Sequence, residues 1–247
     1  MGDERRERCR GRSVAEPEFL LRRAGVEDPG HRPSVARGCR LSSRPDPRLR
    51  PTVCVMQLHQ LVATVATETS NVVRGVKPDQ LSAPTPCMDW DVRALANHLL
   101  QVISALNLAG RGEPVPDELW ARDLMSEEWA ERFEGEARQA VEAWADPAAL
   151  ENMVSMGSNE MPAPFVASML ASDLVIHGWD LARATGQDYH CDDAAAEIAH
   201  RFVADTGEQG RGMGIYAKPV PVADEASALD RSLGLSGRDP QWAPSTQ

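Results

Sequence analysis

The segment "SDLVIHGWDLARATG", residues 172–186, constrains the fold more than any other stretch of this chain. Its apolar residues recur at helical spacing, and Gly186 stands where a helix would close in the left-handed conformation. At about 100° per residue, Asp173, His177 and Asp180 share one stripe with Val166, Met169, Leu170, Leu181 and Ala184. A stripe of that composition is the face a helix buries. An unpaired carboxylate in such a place costs several kcal/mol, so the fold must bring compensating charge to it. A cation is the obvious compensation, because Asp173 and His177, four residues apart, can both reach one ion.

A second segment, "PTPCMDWDVRALANHLL" at 84–100, supplies another histidine. Asp91 is a helix N-cap, with Trp90 before it and Leu95 placed for a hydrophobic staple. Val92, Leu95, Leu99, Val102 and Leu106 form the apolar stripe, and His98 lies on or beside it. His98, Asp173 and His177 would give three N/O ligands and leave a position open, the pattern of catalytic zinc. Two histidines and a carboxylate also suit Fe(II) and other divalent ions, Ni(II) among them. From spacing alone the alternative stands: hydrogen-bonded core histidines, with Asp180 paired to Arg183 or supporting a ligand histidine.

The rest of the chain reads as helices. The first runs from Met56, with Leu58, Leu61, Val62, Val65, Val72 and Val73 in register, to Gly75 and Pro78. A third is expected in the acidic stretch from about 115, with Trp129, Phe133, Ala137, Val141 and Trp144 on one side, broken at Asp146-Pro147. Residues 151–162 read as a loop with a short extended piece. The fourth helix spans about 163–185, a fifth 192–206 and a short one 226–235. Trp179 and Leu181 are expected to pack the bundle, and Gly178 to admit a close neighbour.

Residues 1–55 hold 13 Arg and 8 acidic residues with no sustained periodicity. They read as a disordered or weakly structured extension, with Met56 as an alternative translation start. The remainder, 56–247, is strongly acidic within a total net charge of −11, which argues against a nucleic-acid partner. No apolar run approaches the roughly 18 residues of a membrane span. Five cysteines without a CxxC pair fit a cytoplasmic protein in its reduced state. Cys87 reads as a packed loop residue rather than a nucleophile.

Taken in order, the segments at 84–100 and 172–186 and the tail "KPVPVADEASALDRSLGLSGRDP" resemble the DinB-like superfamily. The nearer resemblance is to its mycothiol-dependent maleylpyruvate isomerase metal-binding branch, over about 57–240. The resemblance implies an all-α, up-down-down-up four-helix bundle with a short C-terminal helical and extended tail. It implies a divalent metal, usually Zn2+, held by His98, Asp173 and His177, with Glu in the isomerase where this chain has Asp173. A low-molecular-weight thiol as cosubstrate and a small electrophilic substrate follow, in a monomer or homodimer. The expected function is a metal-dependent thiol S-transferase or isomerase-like enzyme. A full isomerase has a further C-terminal domain where this chain has a short tail, which weighs against isomerisation in particular. The alternative is a non-catalytic metal-binding or regulatory bundle.

Overall fold

The computed structural model describes residues 51–87 and 90–244, with side chains from Leu58 onward in the first helix. Most of the expected extension, residues 1–50, lies outside the described residues. Residues 51–55 are taken up by helix α1, Pro51–Arg74. Then follow α2 (Val92–Gly110), α3 (Trp129–Trp144), a hairpin of β1 (Met153–Met156) and β2 (Asn159–Pro162), α4 (Ala163–Thr185), α5 (Asp193–Gly212) and α6 (Ala228–Leu235).

Four helices form the body. The side-by-side pairs are α1 with α3, α3 with α2, α2 with α4, and α4 with α1, so the four close into a ring around one core. Leu95, Leu99, Ile103, Leu106, Phe133, Trp144, Leu170 and Leu174 fill it and are fully or almost fully buried. The Trp144 indole N–H donates to the Leu106 carbonyl at 2.8 Å, so the largest core side chain leaves no polar atom unpaired. Ends form where the sequence marks them: the Asp91 carboxylate accepts from the Ala94 N–H at 2.8 Å, and Gly186 closes α4 at φ +69°.

Three expectations are corrected. The third helix begins at Trp129, not near 115, because Pro114 and Pro116 hold the chain extended and deny it two donors. Val115 instead bonds across to the hairpin, its N–H to the Ser155 carbonyl and its carbonyl to the Gly157 N–H, both at 2.8 Å. The 151–162 loop is a two-stranded antiparallel hairpin whose turn rests on Gly157 at φ +59°. The fifth helix continues past Gly207 and Gly210, whose low propensity hid it, to Gly212. One of them has a use: a Cβ on Gly210 would lie 2.5 Å from the Tyr216 ring.

Helix α4 is buried on two sides. One faces the bundle; the other carries Ile176 and Trp179 against Val203 of α5 and Leu233 of α6, with Tyr216, Leu229 and Trp242 around them. Trp179 therefore packs the C-terminal layer rather than the bundle core, while Leu181 sits in the core as expected. Gly178 lies under Tyr189 and Thr69, at 3.0 and 3.2 Å from where its Cβ would be. The tail returns along α6, where the Val220 N–H meets the Gly234 carbonyl at 2.8 Å. A Cβ at Gly234 would fall 2.7 Å from the Val220 carbonyl oxygen. Gly234→Ala is expected to lower stability by about 1–3 kcal/mol through this overpacking, read as an earlier urea midpoint.

No helix among the described residues is long and apolar enough to cross a membrane. Among the described residues, Cys87 and Cys191 form no disulfide. Burial pushes the Cys191 thiol up, and Asp192, Glu68 and Asp193 push it further, to about 12. At pH 8 almost none of it is thiolate. Iodoacetamide is expected to label the Cys191 peptide far more slowly in folded protein than in urea, as mass spectrometry would read.

Candidate metal centre

The loop before α2 is fixed from within. The Thr85 hydroxyl donates to the Cys87 and Trp90 carbonyls at 3.0 and 2.8 Å, and the Val92 N–H to the Ala83 carbonyl at 3.0 Å. This places Trp90 over the start of α2, its ring 4.7 Å from the His98 ring and 5.4 Å from the His177 ring, centroid to centroid. The two imidazoles stand edge to face at 4.9 Å. Trp120 lies 6.4 Å from His98 on another side.

Between the imidazoles lies Asp173. Its Oδ2 is 3.1 Å from His98 Nε2, and its Oδ1 is 3.6 Å from His177 Nε2. The shorter Asp side chain thus reaches both histidines. The three donor atoms all lie within 4.8 Å of one another. Ligand bonds of about 2.1 Å at tetrahedral angles would separate donors by about 3.4 Å, so this set is close to the spacing a zinc ion requires. The His98 and His177 side chains are 11% and 9% exposed, whereas Asp173 is 34% exposed. Two ligand candidates are therefore sheltered and the third opens to solvent.

Charge is arranged to match. Burial pushes the Asp173 carboxyl up, but the His98 hydrogen bond and the nearby His177 and Arg238 outweigh it and hold it at about 2. Burial keeps His177 below its ordinary value, which favours neutral imidazole, the ligand form. Behind it, His177 Nδ1 stands 2.9 Å from Asp180 Oδ2. Asp180 is fully buried and, despite that burial, held as a carboxylate by the Arg238 guanidinium and His177. A carboxylate only accepts, so the 2.9 Å contact favours the proton on Nδ1 over the longer 3.4 Å approach of Arg238 Nη2 to the same atom, and the neutral ring then turns the Nε2 lone pair towards Asp173. A neutral His177 Nε2 facing a carboxylate oxygen at 3.6 Å calls for a proton or a metal ion between them, and with His98 as the third donor the residues fit a divalent ion.

Cys87, His177 and Asp180 form a second, overlapping cluster. Its charge is already balanced: Arg238 Nη2 lies 2.9 Å from Asp180 Oδ2. We read it as the support of the first cluster. Of the two roles the sequence left open for Asp180, the geometry has it beside His177, and Arg183 is engaged elsewhere. It donates twice to the Trp242 carbonyl, at 3.1 and 2.6 Å, and its guanidinium sits over the Trp179 ring. Arg238 and Trp90 are the site residues that spacing did not single out. Two surface clefts of roughly 400 Å³ lie elsewhere, one lined by Glu68, Gln187 and His190, the other by Arg74, Glu134 and Arg138. Among the described residues, neither places three His, Cys, Asp or Glu ligand atoms within reach of one ion.

Residues 62–182 match the family model described as the mycothiol maleylpyruvate isomerase N-terminal domain. His98, Asp173, His177 and Asp180 fall inside the match, and Arg238 outside it. An uncharacterised protein of Mycobacterium tuberculosis, present in the CDC 1551 / Oshkosh and H37Rv strains, is 30% identical over 169 residues. The alignment spans 68% of this chain and 90% of that protein. Two crystal structures of the mycothiol-dependent maleylpyruvate isomerase, one of them a point mutant, align with 70% of this chain and 78% of theirs, at 16% identity and a TM-score of 0.48. The chain belongs to the family of the mycothiol maleylpyruvate isomerase N-terminal domain, within the DinB-like superfamily.

Proposed function

We propose that this chain binds one divalent metal ion, of which Zn2+ suits the donor set best, through His98, Asp173 and His177, and uses it in thiol chemistry. The observation that carries the metal is the convergence of His98, Asp173 and His177, whose ligand atoms lie within 4.8 Å of one another, with His177 Nδ1 backed by the Asp180 carboxylate at 2.9 Å. The family supports the thiol: the matching family model is that of the mycothiol maleylpyruvate isomerase N-terminal domain. When bound, the ion would act as a Lewis acid that lowers the pKa of a thiol at its open position.

The protein's own groups have separable tasks. Asp173 and the two neutral imidazoles hold the ion and leave one positive charge for an anionic fourth partner. Trp90 covers both imidazoles and excludes water from that side. The exposed edge of Asp173 marks where a small molecule would enter. There a thiolate would add to an activated alkene or open an epoxide. In transfer the sulfur stays on the product; in isomerisation it adds, the bond rotates and it leaves.

The test is thiol consumption. Zinc-loaded protein, mycothiol and a small epoxide or activated alkene are expected to lose free thiol faster than the same mixture without protein. His98→Ala should abolish the acceleration. A wild-type protein that holds zinc yet consumes no thiol across a panel of electrophiles would contradict the enzyme and favour a non-catalytic metal-binding module.

A further inference from the structure

Arg238 is a buried arginine that the proposed chemistry leaves unused. It follows α6, and its residue is 7% exposed. Its backbone N–H bonds to the Leu233 carbonyl at 2.8 Å and its Nη1 to the Ser236 carbonyl at 3.3 Å. The remaining donors reach Asp180 and the edge of His177: Nε lies 3.4 Å from Asp180 Oδ1, and Nη2 lies 2.9 Å from Asp180 Oδ2 and, at a longer 3.4 Å, from His177 Nδ1. Asp180 is thus gripped by both oxygens, and Oδ2 also meets His177 Nδ1 at 2.9 Å. A two-pronged guanidinium fixes the plane of a carboxylate, which a point charge on a flexible stem does not.

We infer that Arg238 is a positioning residue for the metal centre, supplied by the C-terminal tail, which acts through Asp180 to set the ring orientation of His177. The tail is held for this task at several points. Leu233 is buried against the outer face of α4, Gly237 turns the chain at φ +87°, and the Trp242 carbonyl is clamped by Arg183 of α4. The tail therefore docks against the helix that carries Asp173, His177 and Asp180, and delivers one cation to the last of them. Docking of the tail and readiness of the metal ligand are one event. Outer partners of this kind typically alter metal affinity 10- to 100-fold.

This inference rests on the reading of His177 as a ligand, and two readouts separate the two claims. The first is metal binding by the full chain with Co(II) as visible probe and Zn(II) by chelator competition. Arg238→Met is expected to weaken Zn(II) binding 10- to 100-fold and to change the Co(II) absorption band. Arg238→Lys, which restores the charge but not the fork, should recover part of the affinity. The second readout needs no metal: ring-labelled 15N histidine spectra of the metal-free protein. Wild type should show a protected His177 Nδ1–H, and Arg238→Met should lose that protection. Should Arg238→Met fail to fold, the pair Asp180→Asn with Arg238→Met leaves no unpaired buried charge and is expected to show the same two losses. Unchanged Co(II) spectra, affinity and Nδ1–H protection in a folded Arg238 variant would overturn the role of Arg238. A wild type that binds neither ion would instead overturn the metal centre, while the 15N readout still decides whether Arg238 orients His177.

Discussion

Asp180→Ala is expected to cost about 3–5 kcal/mol of folding stability, the size seen when one partner of a buried ion pair is removed. The carboxylate has no exposed surface, and its removal strands the Arg238 guanidinium in the same place. It also removes the acceptor of the His177 ring. Urea unfolding would read the loss as a lower midpoint at an unchanged slope. Replacing both members with apolar residues, Asp180→Leu with Arg238→Met, should recover much of the stability, because no charge is then left buried alone. A cost below about 0.5 kcal/mol for Asp180→Ala would mean that the pair is solvated in solution and does not lock the tail to α4.

The second large effect is on metal binding. Asp173→Asn keeps the shape of the side chain and removes its charge. Two neutral imidazoles and an amide would then face a divalent ion with no anionic ligand. The expected loss of zinc affinity exceeds the about 100-fold upper range for outer partners, since Asp173 would be a ligand itself. Chelator competition would measure it. Stability without metal should fall modestly at neutral pH, because the carboxylate that, against burial, His98 and Arg238 hold at about 2 is lost, while its one-third exposure screens the loss and no buried charge is stranded.

Much of the fold was legible in the sequence because its signals are local. Asp91 caps α2 through its own side chain, and Gly186 ends α4 by its positive φ, so each boundary is set within a few residues. The apolar stripes of α1, α2 and α4 gave the helical class for the same reason. His98, Asp173 and His177 stood out because ionisable groups on buried stripes are costly and must converge on something. The structure does bring the three together.

What sequence could not supply is long-range pairing. Asp180 and Arg183 sit three apart on one helix, a spacing at which they can meet, yet the partner of Asp180 comes from 58 residues downstream. Arg183 turns to the Trp242 carbonyl, a group with no side-chain signature at all. Trp90 read as a staple next to its cap; that it covers two imidazoles depends on α4 lying beside α2. The start of α3 was missed because the acidic, proline-spaced stretch before it pairs with a hairpin that forms only once the chain has folded back.

Elemental analysis of purified protein tests the central claim most directly. Wild type should carry close to one equivalent of a divalent transition metal, zinc foremost, and His177→Ala should carry almost none. Wild type free of metal, and unable to take up zinc when it is supplied, would contradict the account.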